Sequence, residues 1–186
     1  QTVKRLGGGA AYYAMPDLVM QALRLLPVAP VQMWSELKRI ASLGDAEDFA
    51  HVNLTTRGMV SADIEYNGGV FAENRSPSFE VRGERGTFRV RPGATTGEIV
   101  AIDPDFSFPR RRSSVRTPPL GDLHEQFPVK RFEVSLPKDT PYGPSAFWKR
   151  VYESVRTGVA FPISIEESIE AVKFVHLMKK TSPFGK

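Results

Sequence analysis

Apolar and polar positions change period several times along the chain, and each change marks an element. From Pro16 to Leu26, Leu18, Ala22, Leu25 and Leu26 recur at helical spacing. Pro16 suits a first-turn position, where its missing N–H goes unused, and Pro27 and Pro30 stop the helix. From Val31 the period falls to two. Val31, Met33, Ser35 and Leu37 alternate with Gln32, Trp34, Glu36 and Lys38, which predicts a strand. A second strand is predicted over Phe49–Thr56, with Ala50, Val52 and Leu54 on one face and His51, Asn53 and Thr55 on the other. A third is predicted over Met59–Tyr66, with Val60, Ala62, Ile64 and Tyr66 facing one way, and Asn67-Gly68-Gly69 as the turn after it. Phe79 and Val81, then Phe88 and Val90, continue the alternation across a Gly83-Glu84-Arg85-Gly86 turn.

Clean alternation over successive short hairpins predicts an antiparallel sheet with one apolar and one polar face, and helices must cover the apolar one. The expected fold class is therefore α+β: an open, mainly antiparallel sheet of about five or six strands, with helices packed on one face. Between about Pro92 and Pro144, eight prolines from Pro104 onward interrupt the pattern, and short strands are predicted at Gly97–Ile102 and Val129–Leu136. So long a run without structure of its own would be unusual inside a compact domain, so its ordering is expected to come from packing on a neighbouring domain or subunit.

Helical spacing returns at Ser145–Thr157, through Phe147, Val151 and Val155, with Gly158 placed to cap the C-terminus. Ser164 and Glu167 have the spacing of a capping box for a last helix running to about Lys180. Ile165, Ile169, Val172 and Val175 are expected to face inward there, with Glu170 and Lys173 in water. No internal repeat is visible.

Composition narrows the picture a little. At 186 residues and 41% hydrophobic content, the chain reads as one domain, residues 1–186, with enough apolar surface for a core. It has no cysteine, which removes disulfides, thiolate metal sites and cysteine nucleophiles, and a cytoplasmic location is expected. No apolar segment is long enough to span a bilayer, so no membrane partner is expected. Much of the net charge of +4 comes from Arg110, Arg111, Arg112 and Arg116. That cluster reads as a solvated loop or one that meets a partner's carboxylates, and no nucleic-acid partner is expected because no recognition module accompanies it. His51, His124 and His176 lack metal-ligand spacing, so no metal is expected, and no serine sits in a nucleophile elbow.

Several local strings, in this order, resemble the C-terminal domain of the Gfo/Idh/MocA oxidoreductases, a family that includes glucose-fructose oxidoreductase and inositol dehydrogenases. They are Gly7-Gly8-Gly9-Ala10 ahead of a helix with Pro16 and Gln21-Ala22-Leu23, Arg82-Gly83-Glu84-Arg85-Gly86-Thr87-Phe88, and the ending from Phe147-Trp148 through Gly158 to Phe161-Pro162-Ile163-Ser164-Ile165-Glu166-Glu167. The resemblance spans nearly the whole chain. It implies a glyceraldehyde-3-phosphate dehydrogenase-like C-terminal domain that binds substrate and assembles into a homo-oligomer through its open sheet face, where Trp34, Glu36, His51, Asp63 and Arg82 lie. It also implies an N-terminal Rossmann domain, outside this chain, that holds NAD or NADP and carries the family's catalytic lysine. No Gly-x-Gly-x-x-Gly turn follows a strand here, so this chain alone is expected to hold no cofactor and to be inactive without its Rossmann half.

The implied reaction is oxidation or reduction of a sugar, polyol or related alcohol. Family enzymes carry an aspartate and, four residues later, a histidine on the first helix of this domain. Those positions fall at Tyr13 and Asp17, so the spacing is kept and both residue types differ, while a further acidic position falls at Met20. Tyr13 and Asp17 are the candidate catalytic pair, and Tyr12 and Gln21 the candidate substrate contacts. Three readings stand side by side. The pair is a variant acid–base couple, for which the tyrosine pKa near 10 would have to fall; or the chemistry has decayed and the protein, a silent family member, binds a carbohydrate or regulates a partner; or Tyr13 packs and Asp17 merely favours a helix N-terminus.

Overall fold

A computed structural model describes residues 2–58, 60–69, 79–107, 128–136 and 144–185. The arginines at 110–112 and 116 and His124 lie outside the described residues. The chain divides into two compact units, residues 1–71 with 148–186, and residues 72–147.

In the first unit a 3-10 turn at Lys4–Leu6 leads to α1 (Ala10–Tyr13) and α2 (Met15–Leu25). The sequence predicts a helix from Pro16, but helical structure begins at Ala10 and breaks at Ala14. Pro16 explains the break, because it has no N–H to donate to the carbonyl four residues back. The helix α2 buries Met15, Val19 and Ala22 and ends at the extended Leu26, ahead of Pro27.

Strands β1 (Pro30–Lys38), β2 (Phe49–Thr56) and β3 (Ser61–Asn67) follow, antiparallel and in that order. Their inward faces match the alternation in the sequence: Leu37, Ala50, Val52, Leu54 and Ile64 are buried. Val31 is an exception and is exposed, next to a register shift between Pro30 and Gln32. The last helix, α4 (Ile165–Thr181), opens on the predicted capping box: Glu167 N–H donates to Ser164 Oγ at 3.1 Å, and Ser164 N–H donates to Glu167 Oε2 at 2.8 Å. The helices α2 and α4 pack together and cover the inner face of the sheet, with Met15, Val19, Leu54, Val175 and Met178 at the centre of one core.

The inward face of α4 differs from the expected one. Ala171, Val175 and Met178 are buried, whereas Ile165, Ile169 and Val172 are exposed. Packing against α2 and β1 rotates the helix so that a small residue, Ala171, meets the core and the β-branched residues N-terminal to it do not.

In the second unit, β4 (Phe79–Gly83), β5 (Gly86–Val90), β6 (Thr96–Ile102) and β7 (Val129–Ser135) form an antiparallel sheet in chain order. Seven described strands thus form two sheets, where the sequence reading expects five or six strands in one. The register aligns Val81, Phe88, Ile99 and Phe132 in a row on one face. The other face carries Glu80, Arg89, Glu98 and Arg131, with Arg89–Glu80 at 3.2 Å and Arg131–Glu98 at 3.1 Å. Between β7 and α4 runs α3 (Pro144–Thr157), which Gly158 closes at φ 72°, its N–H donating to Ser154 O.

Candidate functional site

Two clusters of polar side chains meet at α1, both in the first unit. They are built by the glycine turn before α1, by Glu47 and Asp48 ahead of β2, by Tyr66 on β3 and by Lys179 near the end of α4.

Glu47 lies beneath the glycine turn. Its side chain is fully buried, and its backbone carbonyl accepts the Ala10 N–H at 2.8 Å. Gly9 adopts φ 117°, and a Cβ on it would overlap the Glu47 carboxylate. Glycine is needed here both for the dihedral and for the close approach. Lys179 Nζ donates to Glu47 Oε1 at 3.2 Å and lies 4.3 Å from the centre of the Tyr12 ring, so one ammonium joins a carboxylate to an aromatic face. Glu47 Oε2 is buried and has no hydrogen-bond partner among the described residues.

The second cluster surrounds Tyr13. The Tyr13 hydroxyl donates to the Tyr66 hydroxyl, and the rings meet edge to face with centroids 5.2 Å apart. Asp48 holds the neighbouring loops, accepting from the N–H groups of Ile40 (2.6 Å) and Ala41 (2.7 Å), while its backbone carbonyl accepts from Gly68. Desolvation first, then the hydrogen bond to Tyr66 and the negative charge that Tyr66 and Asp48 would present, push the Tyr13 hydroxyl up to about 12. The backbone N–H groups of Ile40 and Ala41 outweigh desolvation at Asp48 and hold its carboxyl below the usual range.

The sequence-derived candidates are distributed as follows. Tyr12 and Tyr13 lie side by side at the end of α1, each a little under half exposed. Asp17 and Gln21 are exposed on α2. Tyr13 and Asp17 thus belong to separate helical segments, and the hydrogen bond of Tyr13 goes to Tyr66. Asp17 makes no hydrogen bond or ion pair among the described residues. The one hydroxyl proton of Tyr13 is engaged by Tyr66, so it reaches another acceptor only by leaving Tyr66, and its raised pKa runs against general-base work near neutral pH. Sequence reasoning missed Glu47, Asp48, Tyr66 and Lys179 as site residues. The one available signal was the glycine triplet, which demands close approach by something.

The same geometry tests whether this chain could cradle a dinucleotide. Every strand pairing among the described residues is antiparallel, so no parallel βαβ unit is present there. Beneath Gly9 lies a buried carboxylate, which would repel a pyrophosphate. These residues do not fit that cofactor. Among the described residues no three potential ligands gather into a cation site, and no helix is long and apolar enough to cross a membrane.

The outer face of the first sheet forms a separate feature. Trp34 is half exposed and meets His51 edge to face at 5.2 Å, and His51 Nε2 lies 2.8 Å from Asp63 Oδ1. Arg82 belongs to the second unit, where it pairs with Glu80.

An α+β fold of this kind, built of antiparallel sheets and helices, matches about half the length of several NAD-binding and oxidoreductase proteins of known structure. A NAD-binding protein from Listeria innocua matches 96% of this chain over 51% of its own length, at TM-score 0.68 and 19% identity. A UDP-N-acetylglucosamine 3-dehydrogenase from Acidithiobacillus ferrooxidans matches 98% over 52% of its own, at 0.67 and 14%. The biliverdin reductase of Synechocystis, in complex with biliverdin and NADP+, matches 93% over 46% of its own, at 0.64 and 16%. The chain spans about half the length of the structures it matches, and at these identities the likeness is one of fold. No family model matches the chain, and no curated protein matches it.

Proposed function

We propose that this chain is the substrate-side half of a two-domain NAD(P)-dependent oxidoreductase of the Gfo/Idh/MocA type, acting on a sugar, polyol or related alcohol. The observation that supports the proposal is the match of more than nine-tenths of this chain to about half the length of a NAD-binding protein, a UDP-N-acetylglucosamine 3-dehydrogenase and a biliverdin reductase. A nucleotide-binding domain elsewhere in the full-length protein would hold NAD or NADP and supply the redox chemistry. The role of this half is to present the turn at Tyr12 and Tyr13 to the substrate. In this reading Tyr13, protonated near neutral pH, turns its one hydroxyl proton from Tyr66 to a substrate oxygen when substrate binds, Tyr12 offers a ring edge and hydroxyl beside it, and Asp17 and Gln21 line the approach from α2. Homo-oligomerisation would use the outer sheet face around Trp34 and His51, whose mixed aromatic and polar character suits an interface.

A second reading, binding of a carbohydrate or regulation of a partner without turnover, is favoured by one feature: the Tyr13 hydroxyl bonds Tyr66, and Asp17 lies on a separate helical segment. Nicotinamide oxidation and reduction by the full-length protein, measured against a panel of polyols and keto sugars, separates the two. The enzyme reading predicts turnover that falls by about a hundredfold to a thousandfold in Tyr13→Phe, the scale set by the loss of one positioned donor. Saturable sugar binding with no redox change, equal in wild type and Tyr13→Phe, would establish the second reading.

A further inference from the structure

The buried charges beneath α1 cost free energy that stability alone does not explain. Glu47 is fully buried with one carboxylate oxygen unpartnered among the described residues, and Lys179 is largely covered, its side chain 14% exposed. A well-packed apolar pair of similar volume would serve the core as well or better, so a buried ion pair is weak support for a purely stabilising role. What distinguishes this pair is its contacts, since each arm touches the segment that leads to Tyr13. The Glu47 carboxylate fills the space beneath Gly9, its backbone carbonyl takes the Ala10 N–H, and the Lys179 ammonium covers the Tyr12 ring. The two residues are 132 positions apart, so they tie the C-terminal helix to the loop before β2 through this turn.

We infer that Glu47 and Lys179 are positioning residues: a buried ionic clamp that fixes the turn from Gly9 to Tyr13 and so sets the direction of Tyr12 and Tyr13. The functional half of this inference rests on the proposed reading of that turn as substrate-facing. The clamp itself can be tested without substrate or nucleotide, so a failure of turnover and a failure of the clamp are separate results.

The test uses the full-length protein and the double variant Glu47→Gln/Lys179→Met, which removes both charges and retains side-chain length. Hydrogen exchange is followed at the amides of Ala10, Tyr12, Tyr13 and Ala14, the Tyr12 ring is followed by NMR, and urea unfolding reports global stability. Lys179→Arg, which keeps a cation for the ring, is the conservative rescue. The clamp predicts an unchanged urea midpoint in the double variant and exchange at these four amides faster by on the order of thirtyfold, the scale of a lost desolvated cation–π contact. It also predicts a shifted Tyr12 ring signal and near wild-type behaviour in Lys179→Arg. Wild-type exchange at the four amides in the double variant would overturn the inference. So would a lowered midpoint with uniform acceleration that includes β2, because the pair would then be a general stabiliser.

Discussion

Replacing Gly9 with alanine adds one carbon at a position where two independent penalties coincide. At φ 117° and ψ 151° the backbone lies where side-chain-bearing residues are strained, at about 1–3 kcal/mol. The new Cβ would also occupy the space of the Glu47 carboxylate, so Glu47 must move and its contact with Lys179 must open. Separating a buried ion pair costs about 3–5 kcal/mol. Together these give about 4–8 kcal/mol, a large part of the roughly 5–15 kcal/mol that holds a typical domain folded. Gly7→Ala is the internal control. Gly7 also has a positive φ, 75°, but nothing lies within 4 Å of an added Cβ, so only the left-handed penalty of about 1–2 kcal/mol applies. Urea unfolding followed by circular dichroism measures both variants on one scale. Gly9→Ala should lose several times what Gly7→Ala loses, and expression as an unfolded protein would agree with the upper end of its range. Equal losses in the two variants would refute the close packing of Glu47 beneath the turn.

Three further outcomes follow from the same geometry. Tyr66→Phe removes the hydroxyl bonded to Tyr13, so the Tyr13 pKa should fall from about 12 toward its ordinary value of 10, as read by tyrosinate absorbance against a Tyr13→Phe reference. Because the folded-state value is the raised one, the stability linked to Tyr13 is complete below pH 10 and drains away as pH rises from 10 through about 12. At α4, the hydrogen bonds from Arg24 and then from the Ser164 N–H hold Glu167 down to about 2. Its stabilising effect is therefore present above the unfolded value of 4.5 and lost as pH falls toward 2, so the gap in melting temperature between wild type and Glu167→Gln should close across that window. Met178→Ala, in the core, should cost about 2–5 kcal/mol, whereas Ile169→Ser, on the exposed face of the same helix, should stay within about 0.5 kcal/mol in the same urea assay.

The three strands of the first sheet were legible because alternation is a local signal and their inner residues, Ala50, Val52 and Leu54, are also the buried ones. The capping box was legible for the same reason, since its two partners lie three residues apart. The facing of α4 was not. With apolar residues spread around much of that helix, identity alone favoured Ile165 and Ile169, and only contact with α2 and β1 selects Ala171, Val175 and Met178. No local pattern marks Glu47, which stands between Asp45 and Asp48 ahead of β2, and its partner Lys179 comes from the other end of the unit. Tyr66 was placed on the inner face of its strand by alternation, but its hydroxyl meets Tyr13 only because β3 is folded beside α1. Tyr13 itself was found through resemblance, and the break at Ala14, written in Pro16, is what separates it from Asp17.

The proposed function requires that the full-length protein join this chain to a working nicotinamide site. Titrating that protein with NADH and with NADPH, and following the nicotinamide fluorescence, reads this in one experiment. Saturable binding of one or both, with the same affinity in Tyr13→Phe because the nucleotide is held elsewhere, is the predicted result. No binding of either nucleotide would contradict the proposal that this chain is half of a two-domain oxidoreductase.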